Sequence, residues 1–369
     1  MRRLLAVFLA LAVGVVVAGI YIPSDAATVG GSPISLRSLD AELTAVAQSP
    51  DYVCFLSEER ALAGGSPVPV LGAGAAGSST GVYDTTFVDD WLTSMLTDRV
   101  AAQLAARRGL RAGDSVLAEA DAVLSRRITA VLGQYATDTG AGVPGCGGSG
   151  SAVLASMPGW FVHRQVVAEA DQALLDARAA GAGLGKAGIA AYFASHGRTF
   201  ARDCLSVIVL RTASAADAAK AAISHGAGFA REASAVSLTS GTGARGGAAG
   251  CGLVVGTFLA PYLAKLPVHA VSSPFHARGV WWLVTVTSRT AVPLSSVRGI
   301  VVTAMVQAGQ PSVDAELSVA LRRAHVTVDA RYGTAEPRAR TLILPPVGPP
   351  RGALVSPSAD RAPARSAAG

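Results

Sequence analysis

A chain of 369 residues, half of them hydrophobic, has material for a large core and, at about 100–200 residues per domain, for two compact units. Aromatic residues are 5% and charged residues 15%, so Ala and Val carry much of the hydrophobicity. The net charge is +6, but the tail beyond Ala330 sets Arg331, Arg338, Arg340, Arg351, Arg361 and Arg365 against only Glu336 and Asp360. The remaining body is near neutral, which excludes the basic footprint of a nucleic-acid-binding protein.

Residues 1–26 are a signal peptide or a membrane anchor: Arg2-Arg3 precede an uncharged run from Leu4 to Ile22, then Ser24-Asp25-Ala26. That run exceeds a usual signal core of about 7–15 residues and approaches the roughly 20 that span a bilayer. Cleavage after Ala26 and anchoring through residues 4–22 are both open. Either places the rest outside the cytoplasm, secreted or held at the outer face of the membrane, because the Arg pair stays inside. Cys54, Cys146, Cys204 and Cys251 are an even set for an oxidising compartment. Of the three possible pairings, 54–146 with 204–251 puts one bridge in each expected unit.

ATVGGSPISLRSLDAELTAV reads as a short strand, a Gly-Gly turn and a helix with Ile34, Leu36, Leu39 and Leu43 on its apolar side. Gly64–Gly81 is too rich in turn formers for regular structure. Val88, Leu92, Met95, Leu96 and Val100 fall at helical spacing in a run ended by Gly109. Asp114 is placed to cap a helix with Leu117, Ala120, Leu124, Ile128 and Val131 inward. A loop from Thr137 to Ser151 holds Cys146. A third helix starts near Pro158 and carries Trp160, Phe161, Val166, Val167 and Leu174; a short one carries Ile189, Tyr192 and Phe193. Residues 27–199 are therefore a mostly helical body.

A different grammar follows. CLSVIVLR from Cys204 alternates as a strand, and GVWWLVTVTSR, ending at Arg289, alternates as another. Between them lie an Ala-rich helical run and a glycine-rich turn at 241–247, so residues 200–291 read as a small α+β domain with a largely antiparallel sheet. Then come a helix with Ile300, Val301, Ala304 and Met305, Ser312 as the N-cap of a second helix with Leu317 and Leu321, and a strand at His325–Val328. The N-terminal strand at Thr28-Val29 is its candidate partner, which makes the helical domain discontinuous and completed by residues 292–330. Residues 331–369 read as a disordered Pro/Arg-rich tail.

Several motifs match without their context. Gly72–Gly77 and Gly241–Gly246 fit the dinucleotide fingerprint, but neither opens a helix, so no nicotinamide or other cofactor is expected. Gly77-Ser78-Ser79-Thr80-Gly81 fits the nucleophile elbow yet sits in a Gly/Ser segment. The six histidines lack metal-ligand spacing, and no metal site is expected. No closely spaced carboxylate pair points to a glycosidase.

TVGGSPISLRSLDAEL, AYFASHGRTFARDCLSVIVLRT, GFAREASAVSLTSG, GGAAGCGLVVGTFLAPYL, VSSPFHARGVWWLVTVTSR and VTVDARYGT occur in an order that resembles a known arrangement. Residues 200–291 resemble a parvulin-type peptidyl-prolyl isomerase domain. The span from Ala27 to Gly333 resembles the exported SurA/PrsA-like folding factors, in which a helical chaperone body carries such a domain. The resemblance implies an α+β fold with an inserted domain, unfolded or extended exported polypeptides as partners, and an apolar cradle for proline beside a polar network of two His and a Cys or Asp. Phe258 and Tyr262 match the cradle. Val207 and Trp282 fall on the two His positions, Thr239 or Ser240 on the acidic or thiol position, and Ala248 on the loop Asp. Val and Trp cannot relay a proton as imidazoles do. The expectation is thus a folding factor with weak or lost isomerase activity, binding chain segments through Phe258, Tyr262, Trp281 and Trp282, with one of the two Trp facing inward. The alternatives are an active isomerase and a non-catalytic envelope protein that binds a partner.

Overall fold

The structure, a computed structural model, describes residues 25–62, 83–138, 147–336 and 343–344. The expectations for the leader segment, for Gly64–Gly81, for Cys146 and for nearly all of the tail lie outside these residues. The chain divides into two compact units, Met1–Leu175 with Val313–Gly369 and Asp176–Ser312.

In the first unit β1 (Asp25–Val29) and β2 (Ser32–Ser35) form an antiparallel hairpin. Gly30 and Gly31 stand at φ of +56° and +79°, as a two-residue turn with both central residues left-handed requires. Ile34 therefore belongs to a strand and not to the helix; Pro33 is tolerated because β2 is the sheet edge. α1 (Leu36–Ala47) starts after Ser35, whose hydroxyl accepts the Ser38 N–H at 3.1 Å. α2 (Pro50–Leu62), unassigned from sequence, buries Tyr52 and Phe55. α3 (Thr85–Arg107) is capped by Asp84 and buries the anticipated Val88, Leu92, Met95, Leu96 and Val100. α4 (Asp114–Asp138) begins at Asp114 itself, since the Val116 and Leu117 N–H groups reach the Gly113 carbonyl. α5 (Gly150–Ser156) crosses α4 so closely that a Cβ on Gly150 would stand 1.9 Å from the Ser125 oxygen. In α6 (Gly159–Ala179) Phe161 is fully buried and packs on Trp91 and Tyr52, with centroids 6.1 and 5.5 Å away.

The second unit is continuous in sequence. After α7 (Lys186–Ser195) come β3 (Arg202–Leu210), α8 (Ala213–Ser224), α9 (Phe229–Val236), α10 (Ser240–Gly243), β4 (Ala248–Leu253), α11 (Ala260–Leu263), β5 (Phe275–Ala277) and β6 (Val280–Thr290). The sheet is antiparallel in the order β4-β3-β6-β5. Alternation along β3 sends Leu205, Val207 and Val209 to one core and Ile208 and Leu210 to another, which α8 and α9 cover with Ala216, Ala219 and Ala233. Cys204 faces Cys251 across the β3–β4 pair, and the two are bonded. Cys54 is also disulfide-bonded.

α12 (Leu294–Arg323) is one helix through Pro311, so Ser312 caps nothing. Proline removes the bond to the residue four positions back, a penalty of roughly 3 kcal/mol in an isolated helix. Here Val301, Val302 and Met305 before it and Val313 and Leu317 after it are all buried, and that burial holds the helix. β7 (Val326–Val328) then pairs antiparallel with β1, Thr28 opposite Thr327, in the partnership anticipated for these strands. Their hydroxyls meet at 2.6 Å. β8 (Thr334–Ala335) and β9 (Ile343–Leu344) form a separate short pair.

Buried charge gives the first unit a pH dependence. Glu42 in α1 is fully buried, accepts the Trp91 indole N–H at 2.9 Å and pairs with Arg164 at 2.5 Å. Burial raises its pKa from 4.5 to about 7, outweighing the opposing pull of Arg164 and Trp91. Burial, reinforced by Asp84, raises Asp89 from 3.8 to about 7. A carboxyl whose folded pKa is raised binds its proton more tightly folded than unfolded, so stability is fullest below the unfolded pKa and declines as pH rises to the folded one. Thermal unfolding of the full chain is expected to shift to lower temperature between about pH 5 and pH 7.5, and Glu42→Gln should flatten that slope.

Candidate functional site

The site anticipated from sequence lies in the second unit, and the sheet sorts its members by parity. In β6, Trp282 goes to the face that carries Val207 and Trp281 to the opposite face, where α8 and α9 pack. Trp281 therefore does not join Phe258 and Tyr262. Its near neighbour is His276, at 5.5 Å between rings, the only His on a strand of this sheet among the described residues.

The first face holds four contiguous rings. Phe275 is opposite Trp282 in the β5–β6 register. Tyr262 stacks on Phe275 at 3.7 Å, and Phe258 meets Trp282 edge-on at 5.0 Å. The guanidinium of Arg278, at the β5–β6 turn with φ of +52°, lies 4.6 Å over the Phe258 ring. Tyr262 remains 41% exposed, while Phe258 and Trp282 are half-buried. Beneath them Leu205, Val207, Val209, Val284 and Val286 form the floor.

What holds the rings over that floor is an ion pair. Asp203 and Arg289 are register partners on β3 and β6, and Asp203 is fully buried. Arg289 grips it with two hydrogen bonds, 2.7 and 2.9 Å, and donates further to the carbonyls of Leu263 and Leu266, at 3.0 and 3.2 Å. The Asp203 carboxylate raises the Arg289 pKa still further. The clamp ties α11, and with it Tyr262, to the sheet.

No imidazole or free thiol stands at the positions anticipated for the polar network. Val207 is 5% exposed and apolar. The single N–H of the Trp282 indole is engaged by the Ala277 carbonyl at 3.0 Å. Thr239 hydrogen-bonds to Thr242 and, at 3.1 Å, to Ser237, which also accepts the Val209 N–H; Ser240 is exposed beside it. The Thr239 hydroxyl is engaged by its neighbours within the same turn. Cys251 is bonded to Cys204 and offers no thiol. Among the described residues no group of His, Cys, Asp and Glu is placed to hold a metal ion. Sequence reasoning missed Phe275, Arg278 and Arg289. Phe275 was within reach, since Phe275, Ala277, Val280, Trp282, Val284 and Val286 share one face by alternation around the turn. Arg289 reads from sequence as an exposed strand-end charge.

No family model matches the chain, and no curated protein matches it by sequence. Among solved structures it is similar to the peptidylprolyl isomerase PrsA of Bacillus anthracis, at 14% identity and a TM-score of 0.33 over 63% of this chain and 97% of that one. The foldase PrsA of Lactococcus lactis is similar at 14% identity and a TM-score of 0.32, over 83% of this chain and 94% of that one. A SurA-like chaperone of Campylobacter jejuni is similar at 11% identity and a TM-score of 0.27, over 83% and 99%. The fold itself, an α+β chain with an antiparallel sheet unit between the two parts of a helical unit, stands on the strand pairings and chain division given above.

Two outcomes follow from the clamp and the bridge. Arg289→Met strands a buried carboxylate and is expected to cost about 3–5 kcal/mol in chemical denaturation, whereas Asp203→Leu combined with Arg289→Met should cost less. Cys204→Ala with Cys251→Ala opens a link between residues 47 apart and should cost about 2–4 kcal/mol.

Proposed function

We propose that the protein is an exported folding factor of the SurA/PrsA kind whose parvulin-like unit, residues 200–291, binds extended or unfolded exported polypeptides without catalysing prolyl isomerisation. One observation carries this: where a relay of polar side chains would stand, the structure has buried Val207 and a Trp282 whose indole donor is already engaged, while the aromatic face with exposed Tyr262 is kept. Lowering the roughly 18–20 kcal/mol barrier to rotation about a peptide bond needs groups that interact with the twisting amide. An apolar face offers instead the desolvation of a client's apolar side chains, worth about 25 cal/mol per Å². The Cys204–Cys251 bridge supports a place outside the reducing cytosol. Among the described residues no helix is long and apolar enough to cross a membrane; anchoring would fall to residues 4–22.

A protease-coupled assay on an Xaa-Pro peptide is expected to show no acceleration, and the protein should suppress aggregation of an unfolded client at molar excess, less well as Tyr262→Ala. A clear rate increase abolished by Phe258→Ala would establish an active isomerase instead. Failure to suppress aggregation would leave a non-catalytic partner-binding protein.

A further inference from the structure

A small pocket opens in the first unit among β2, α1, α3 and α6. Its volume is about 130 Å³, comparable to cavities of roughly 150 Å³ that admit one benzene-sized group. Three carboxylates line it, Glu42, Asp98 and Asp171, against two guanidiniums, Arg99 and Arg164. Ile34, Met95 and Val167 supply an apolar wall.

Charge here is under-compensated, and a specific atom shows it. Glu42 is fully buried, and one of its oxygens, Oε2, takes both the Trp91 indole and Arg164. Its other oxygen, Oε1, is buried without a hydrogen-bond partner in the geometry, as is Arg164 Nε, and the Ser38 hydroxyl in the pocket wall eases the Glu42 charge only slightly. An orphaned carboxylate oxygen in low dielectric costs more than a neutral one, because the unmet solvation is that of a charge. Arg164 does not make up the deficit: its second contact, to Asp98, is long at 3.9 Å. Burial raises the pKa of all three lining carboxylates, as expected where positive charge is short.

We propose that this pocket takes the side chain of a lysine from a bound polypeptide, with its ammonium at Glu42 Oε1 and its methylenes along Ile34, Met95 and Val167. An ammonium is a compact point charge whose three donors can be shared between Glu42 and the neighbouring carboxylates. A guanidinium fork needs two free acceptors side by side, and Glu42 has one. That the lysine comes from a polypeptide rests on the folding-factor function; that the pocket binds an alkylammonium does not.

The test titrates the full-length protein with N-acetyl-lysine-N-methylamide, using the uncharged norleucine analogue as control. The Trp91 indole N–H, bonded to the same carboxylate, is followed by nitrogen–proton NMR. The expected result is a saturable shift of that signal with the lysine compound alone, weakened tenfold or more by Glu42→Gln and a few-fold by Asp171→Asn. Unchanged signals from the other indoles show that Glu42→Gln keeps the fold; should it fail to fold, Asp171→Asn decides. No shift up to the solubility limit, or an equal shift with norleucine, overturns the proposal. If the lysine compound binds but the wild-type protein suppresses no client aggregation, the site stands and the folding-factor function falls.

Discussion

The pair of Asp203 and Arg289 is what the second unit depends on. A buried carboxylate and a guanidinium at one register position hold β3 to β6, and the same guanidinium then reaches out of the sheet to the carbonyls of Leu263, at the end of α11, and of Leu266 just beyond it. Without that reach, α11 would lean on hydrophobic contact, which is non-directional, until the chain rejoins the sheet at Val268. With it, Tyr262 has a defined position over Phe275, and the aromatic face has a fixed composition. Replacing a buried pair by apolar residues is often neutral or stabilising, so its value here is geometric: it specifies where a short helix lies.

The first unit solves a different problem, how to make one core from two stretches far apart in sequence. Its sheet is a hairpin from the N-terminal end completed by a strand from near the C-terminal end, with Thr28 and Thr327 in hydroxyl contact. The entropy of closing so long a loop grows only logarithmically with length, so a large insertion between the partners is tolerated. The helix through Pro311 belongs to the same economy. Burial of Val301, Met305, Val313 and Leu317 on the two sides of the proline outweighs a local defect that sequence logic treats as a break.

Those cases mark where the sequence could be read and where it could not. Strands β3 and β6 are legible because alternation of β-branched and aromatic residues leaves little choice, and the pairing of Val29 with Val326 follows from two orphan strands needing partners. The helices are legible where apolar spacing is strong, as from Val88 to Val100. Helix α2 is not, because its buried face is little more than Tyr52 and Phe55 between polar residues. Glu42 is the hardest case: on an amphipathic helix a Glu belongs in solvent, and only Arg164 and Trp91, more than a hundred and about fifty positions away, explain its burial. The site divides in the same way. That neither Val207 nor Trp282 is a histidine is plain from sequence, whereas the separation of Trp281 from the other aromatics needs the parity of β6, and the Arg278 cover on Phe258 needs the turn.

The pairing of β1 with β7 also fixes an order of events. A chain made from its N-terminus produces β1 first and its partner some three hundred residues later, so the sheet of the first unit stays one strand short until that partner is made. The second unit ends at Ser312, and the residues of its four strands and their disulfide are all made while β1 still waits. Every residue of its sheet and of its aromatic face thus precedes, in synthesis, the strand that closes the sheet of the first unit.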